Sequence, residues 1–96
     1  MELNKDFEIK DLVDYDFIEM TKEYKEEYIS DEDPVLNYFE GYLYNIGHSR
    51  RGQHYYLLCN TTGSFSLYAS EPDGAGGQIL MPGIILKLIE DKVMIN

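Results

Sequence analysis

Two apolar segments separated by a short turn constrain the fold of this 96-residue chain more than any other feature. The turn, Asn60-Thr61-Thr62-Gly63, has the composition of a tight connection and separates Gln53–Cys59 from Ser64–Ser70. The first segment is mostly apolar, whereas apolar and polar residues alternate in the second, as in a strand with one buried face. The sequence therefore predicts an antiparallel β-hairpin here.

The length of the chain limits it to one folded unit. A chain of 96 residues is close to the commonest domain size and is too short to form two units that each bury a core. Nine Tyr and four Phe supply large side chains for burial, so the acidic composition does not by itself imply disorder. We therefore expect a single domain over residues 1–96.

Negative charge is concentrated at one end of the sequence. Residues 1–40 contain 14 Asp or Glu and four Lys, a net charge of −10, whereas residues 41–96 contain four side chains of each sign. One-sided charge selects and steers partners rather than shaping a fold. It favours a basic protein surface as the partner and disfavours direct nucleic-acid binding, which needs a basic patch. The alternative is that the acidity only keeps a small protein soluble.

The acidic region contains a segment with helical periodicity. The residues Phe17, Met20, Tyr24 and Tyr28 recur at steps of three and four. Asp16 and Glu19 have the spacing of a capping box, which favours a helix that begins next to them. We therefore predict a helix over Phe17–Ile29, preceded by an extended strand within Phe7–Phe17, where apolar and charged residues alternate.

A second helix is predicted over Pro34–Ile46, with an apolar stripe formed by Val35, Tyr38 or Phe39, Tyr42 and Ile46. Asp33 is a favourable N-cap residue, and Pro34 suits the first helical position. A strand is the alternative for this segment, because Tyr and Phe are common in strands and Gly41 weakens a helix.

The C-terminal part of the chain is less clearly patterned. A turn-rich loop over residues 71–77 precedes a predicted strand at Gln78–Met81, and Val93–Ile95 is a predicted last strand. Gly83–Asp91 is either a short apolar helix or a strand, and its periodicity does not distinguish them. The predicted fold class is α+β: an acidic N-terminal helical region, residues 1–40, packed on a small antiparallel β-sheet from the neutral β-rich region, residues 41–96.

Residues suited to metal binding or nucleophilic catalysis are few and poorly spaced. His48, His54 and Cys59 are the only soft candidates, and they lack the paired spacing of zinc sites. The Gly74-Ala75-Gly76-Gly77 stretch is not followed by the Lys and Ser or Thr of a phosphate-binding loop. We expect no catalytic residue, no metal and no cofactor, and therefore no enzyme. A small-ligand binder or enzyme that uses the His48–Cys59 region is the weaker alternative.

The predicted partner-binding residues combine carboxylates of the acidic region with two tyrosines. Tyr44 and Tyr68 fall on the polar sides of their predicted elements, where aromatic side chains can anchor an interface. The basic cluster Ser49-Arg50-Arg51-Gly52 is expected to pair with the acidic surface of the chain itself. The full set is Asp16, Glu19, Glu23, Glu26, Glu27, Asp31, Glu32, Asp33, Tyr44 and Tyr68.

In size and charge the chain resembles the small acidic inhibitors, immunity proteins and nucleic-acid mimics of bacteria and their phages. This resemblance implies a protein that blocks a basic surface, such as the groove of a nuclease or DNA-binding protein. The alternative is a small structural or oligomeric protein, for example a homodimer. A single cysteine agrees with a reducing compartment, and no segment has the features of a signal peptide or membrane span. We therefore expect a cytoplasmic protein with no membrane partner.

Overall fold

The computed structural model describes residues 1–48, 52–70 and 83–95. Within them the chain forms β1 (Glu2–Leu3), a 3-10 helix (Ile9–Tyr15), β2 (Ile18–Glu19), α1 (Lys22–Tyr28), α2 (Pro34–Tyr38), β3 (Gly41–His48), β4 (His54–Asn60), β5 (Phe65–Ser70), α3 (Gly83–Glu90) and β6 (Met94–Ile95). All pairings between the described strands are antiparallel. The predicted α+β class is confirmed.

The largest sheet of the described residues has the strand order β2-β3-β4-β5. The predicted hairpin is confirmed as β4 and β5, which pair from Cys59↔Phe65 to His54↔Ser70. Its turn is fixed by the Asn60 side chain, whose oxygen accepts hydrogen bonds from the backbone N–H groups of Thr62 and Ser64, each at 3.0 Å. The turn residues therefore determine the register of the hairpin.

The sheet is covered on both faces, which explains the nearly continuous apolar sequence of β4. Leu57 and Leu58 are neighbours in the strand, so their side chains point to opposite faces. One face contacts a first core: Leu12, Phe17, Leu57, Cys59, Phe65, Ile85, Leu88, Val93 and Met94. The other contacts a second core: Met20, Leu36, Leu43 and Leu58. The acidic region is thereby divided, with the 3-10 helix on the first face and α1 and α2 on the second.

The helix predicted over Pro34–Ile46 is wrong in its second half. Helix α2 ends at Tyr38, and β3 begins at Gly41 and pairs with β4 from Gly41↔Asn60 to His48↔His54. Gly41, the first residue of β3, has a φ of +143°, a conformation that favours glycine. The strand alternative therefore holds for the second half of the segment, since pairing with the hairpin outweighs the weak helical preference of the sequence.

The helix predicted over Phe17–Ile29 begins later than expected. Its first residues belong to β2, and α1 starts at Lys22. The N-cap is Thr21, whose Oγ1 accepts a hydrogen bond from the backbone N–H of Tyr24 at 3.1 Å. Asp16 instead lies at the C-terminal end of the 3-10 helix, with a φ of +68°. The capping box predicted from Asp16 and Glu19 does not form.

The extended strand expected within Phe7–Phe17 is also wrong, because this segment forms the 3-10 helix Ile9–Tyr15. The capping box that does occur lies at its start. A carboxylate oxygen of Asp11 accepts a hydrogen bond from the backbone N–H of Glu8 at 2.9 Å. Apolar and charged residues alternate in the sequence, but the short helix buries Leu12 in the first core and packs Ile9 and Tyr15 against it.

The C-terminal segment completes the first core. Of the two alternatives for residues 83–91 the helix is observed: Gly83–Glu90 forms α3, which buries Ile85 and Leu88. The predicted last strand is confirmed as β6, in which Met94 pairs with Leu3. The loop predicted over residues 71–77, the strand at Gln78–Met81 and the basic residues 49–51 lie outside the described residues. In the described part of the chain, no helix is long and apolar enough to cross a membrane.

Candidate protein-binding surface

One face of the sheet is covered by residues 20–40, which we call the α1–α2 layer. Two of its side chains, Met20 and Leu36, are buried against the sheet. Helix α1 itself contains no fully buried residue, and Tyr24 contributes only part of its surface to the core. Most of the layer's side chains therefore face solvent.

Polar contacts hold the layer together. The Lys25 ammonium donates a hydrogen bond to the carbonyl oxygen of Asn37 at 3.1 Å and so joins α1 to α2. The Asn37 side-chain amide donates to the carbonyl oxygens of Ser30, at 2.7 Å, and Asp33, at 2.8 Å. These bonds fix the loop between the two helices without burying much apolar area.

Asp33 connects the layer to the sheet. Its Oδ1 atom accepts a hydrogen bond from the backbone N–H of Leu36 at 3.0 Å and so caps α2. The Tyr68 hydroxyl on β5 donates to the same carboxylate at 3.0 and 3.2 Å. The structure therefore gives Asp33, a predicted partner-binding residue, two internal contacts.

Asp33→Ala is expected to destabilise the protein by about 2 kcal/mol, with about 1 kcal/mol from the lost N-cap and about 1 kcal/mol from the lost acceptor of Tyr68. Asp33→Asn should destabilise the protein less than Asp33→Ala, because asparagine is an equally good N-cap residue. Urea denaturation measures both changes. Asp31→Ala, which removes an exposed carboxylate two residues earlier, is the matched control and should change stability little. Equal losses in Asp31→Ala and Asp33→Ala would contradict the structural role of Asp33.

The remaining carboxylates of the layer are exposed, and most of them form no ion pair with the described residues. Glu23, Glu26 and Glu27 lie on α1, and Asp31 and Glu32 lie in the loop that follows. Among the described residues, the layer contains a single ion pair, between Lys22 and Glu26, whose charged atoms are 4.0 Å apart. Both side chains are largely exposed, so this pair neutralises little of the local charge. The outer surface of the layer is therefore strongly negative.

The same surface exposes large apolar side chains. Helix α2 turns Leu36 into the core, which leaves Val35 and Tyr38 on its outer side, 50% and 86% exposed. Tyr28, at the end of α1, is 64% exposed, and its ring centroid lies 4.8 Å from that of Tyr24. Aromatic side chains exposed to this extent are typical anchors of protein interfaces.

The two tyrosines that the sequence favoured as anchors lie in different surroundings. Tyr44 packs partly against the first core, with its ring centroid 5.4 Å from that of Phe17. Tyr68 packs partly against the second core, and its hydroxyl group is bonded to Asp33. Among the described residues, the aromatic side chains that are mostly exposed are instead Tyr28 and Tyr38, which helical periodicity placed in the core.

The sequence predicts a row of carboxylates along one helix, Asp16, Glu19, Glu23 and Glu26 or Glu27, and the structure places only part of it on α1. Asp16 and Glu19 precede α1 and lie at the end of the 3-10 helix and in β2. Glu19 is exposed and pairs in register with Tyr42 of β3. Only Glu23, Glu26 and Glu27 of the predicted row lie on α1.

The residues considered for catalysis are placed as follows. His48 and His54 lie opposite each other across β3 and β4, with ring centroids 5.9 Å apart. Cys59 is buried, and burial raises the pKa of its thiol to about 12, so the reactive thiolate is not populated near neutral pH. In the described residues, no group of three or more His, Cys, Asp or Glu side chains is arranged to hold a metal ion.

Comparison with known proteins gives no relative from which function could be transferred. The chain matches no family model, no curated protein and no solved structure. What the α1–α2 layer binds is therefore inferred from its geometry and charge.

Proposed function

We propose that this protein is a binding module that presents the α1–α2 layer to a basic surface of a partner protein, and that it is not an enzyme. The observation that carries this proposal is the exposure of Tyr38 on a layer whose exposed carboxylates, among the described residues, form a single ion pair. An aromatic anchor supplies binding energy when a partner covers it, while surrounding negative charge attracts and orients a positive partner. The layer offers both features on one side of the molecule.

The class of partner that we propose is a nuclease or a DNA-binding protein in the cytoplasm, with this protein as its inhibitor, immunity protein or nucleic-acid mimic. The net charge of −10 supports this class, because proteins that bind nucleic acid carry extended basic surfaces. Nucleic acid should then compete with this protein for the partner and should not bind the protein itself. Lack of competition would direct the search to basic partners of another kind.

Tyr38→Ala is expected to weaken partner binding by about thirtyfold, because truncation of an interface hot spot costs about 2 kcal/mol. The experiment is affinity capture from cells of the source organism with the unaltered protein and with the variant, followed by quantitative mass spectrometry. Partners captured through the layer should be depleted in the Tyr38→Ala sample.

Leu86→Ala is the matched control for this capture, because Leu86 is a 52% exposed apolar residue on α3, which packs against the other face of the sheet. It should leave the captured proteins unchanged. Loss of the same proteins with Leu86→Ala, and not with Tyr38→Ala, would contradict the proposal and assign binding to α3.

A homodimer is the second candidate function. The observation that favours it is that Leu86 and Ile89, one helical turn apart, are both exposed on α3. Sedimentation equilibrium distinguishes the two candidates: a dimer that Leu86→Ala dissociates supports the homodimer, whereas a monomer at all concentrations excludes it. The large negative charge opposes self-association at low salt, so the measurement includes moderate ionic strength.

A further inference from the structure

A depression lies between the 3-10 helix and α3, away from the α1–α2 layer. Both elements pack against the first core, through Leu12 of the 3-10 helix and through Ile85 and Leu88 of α3. The depression therefore belongs to the opposite face of the sheet from the α1–α2 layer. It has a volume of about 400 Å³ and is lined by Phe7, Asp11, Asp14, Tyr15, Lys87 and Asp91.

The charges around this depression are predominantly negative. Three carboxylates face a single ammonium group, Lys87. The Asp91 carboxylate is engaged, since it accepts a hydrogen bond from the Tyr15 hydroxyl at 2.8 Å and lies 3.7 Å from the Lys87 ammonium. The Asp14 carboxylate is exposed and forms no hydrogen bond or ion pair with the described residues. The Asp14 carboxylate is therefore available to a positively charged ligand.

Aromatic rings form the apolar part of the depression. Phe7 and Tyr15 are each half-buried and pack against the first core, which fixes the position of their rings. The Lys87 ammonium lies 6.0 Å from the centroid of the Tyr15 ring, so a cation is already accommodated near this ring. The Lys87 side chain is 62% exposed, so its ammonium group is not buried over the ring.

We propose that this depression receives an arginine side chain of a protein partner and gives the molecule a second binding face. A guanidinium group is planar and can stack on an aromatic ring while it donates hydrogen bonds to a carboxylate. The half-buried rings of Phe7 and Tyr15 supply the apolar surface, and Asp14 supplies the acceptor. Lys87 remains on Asp91, so the incoming charge meets a net negative site. This site does not depend on the α1–α2 layer or on its partner.

The experiment is a titration of isotope-labelled protein with Nα-acetyl-arginine amide, followed by backbone amide chemical shifts in NMR spectra. We expect saturable shifts confined to the 3-10 helix and the C-terminal half of α3, with a dissociation constant in the millimolar range or weaker. The corresponding citrulline amide, which has a similar shape and no charge, should produce no saturable shift. The lysine amide should bind more weakly than the arginine amide, because an ammonium group cannot stack.

Two variants locate the site. Asp14→Asn should weaken the binding of the arginine amide several-fold, whereas Asp6→Asn, which removes the same charge from an exposed position outside the depression, should not. Unchanged amide shifts elsewhere in the spectrum establish that both variants are folded. Shifts spread over the whole acidic surface, equal effects of the two variants, or no saturable shift with arginine amide would each overturn the proposal. None of these outcomes involves the partner of the α1–α2 layer, so the proposed function is tested separately.

Discussion

Gly41→Ala is expected to destabilise the protein by about 3 kcal/mol or more, because two unfavourable effects combine at this position. Gly41 has a φ of +143°, which is costly for alanine. A Cβ atom at Gly41 would also collide with the backbone carbonyl of Cys59 in the adjacent strand. Backbone atoms of a central strand cannot move aside without loss of hydrogen bonds, so the collision would displace the start of β3. Urea denaturation measures the loss as a lower transition midpoint.

Gly47→Ala is the matched control for this substitution. Gly47 has a similar φ of +145° and lies in the same strand, but no heavy atom of the described residues, its two chain neighbours aside, lies within 4 Å of the position of its Cβ atom. It should therefore show only the conformational cost, about 1–3 kcal/mol. Equal destabilisation by the two substitutions would mean that the close approach of Gly41 to β4 contributes nothing.

Gly41 also shows why part of the fold could be predicted from the sequence and part could not. The β4–β5 hairpin could be predicted because its signals are local: a turn at residues 60–63 between two segments with strand composition. The chain from Pro34 to Ile46 has the periodicity of a single helix, and glycine at position 41 reduces helix stability by only about 1 kcal/mol. Pairing of β3 with β4 decides its conformation, and the helical periodicity within residues 34–46 does not reveal that pairing.

Which tyrosines are buried and which are exposed depends on where helix α2 ends. With a helix over Pro34–Ile46, Tyr38 belongs to an apolar stripe and Tyr44 to the polar side. With the helix ending at Tyr38 and a strand beginning at Gly41, the period changes from 3.6 to 2. Tyr44 then points into the first core and Tyr38 into solvent. The position of the helix end therefore determines which aromatic side chains are available to a partner.

The distribution of charge was easier to predict than its arrangement in space. Exposure of Glu23, Glu26 and Glu27 follows from the polar face of a helix. The sequence could not show that the acidic region would occupy both faces of the sheet, since this requires the short strand β2 at the sheet edge. The net charge of −10 is consequently shared between the α1–α2 layer and the side that carries the 3-10 helix.

Replacement of Glu23, Glu26 and Glu27 by glutamine should reduce the association rate with the partner of the α1–α2 layer by about tenfold at low salt, because steering depends on local charge. The change in stability should be small, within about 1 kcal/mol. Neutralisation of Glu26 and Glu27 relieves an unfavourable interaction with the negative end of the helix dipole. Neutralisation of Glu23, in the first turn, removes a favourable one.

The matched control for this triple variant changes three exposed carboxylates outside the layer, Glu2→Gln, Asp6→Asn and Glu90→Gln, and so reaches the same net charge. Stopped-flow or surface-plasmon kinetics at several salt concentrations measure the association rates of the partner identified by capture. For the unaltered protein the association rate should fall steeply as salt rises, because ions screen exposed charges beyond a Debye length of about 10 Å at 0.1 M salt. The triple variant should show a flatter dependence than the control. Equal rates for the two variants would mean that total charge, rather than the α1–α2 layer, attracts the partner. A salt-independent rate for the unaltered protein would instead exclude electrostatic steering and leave the exposed tyrosines as the main determinants of binding.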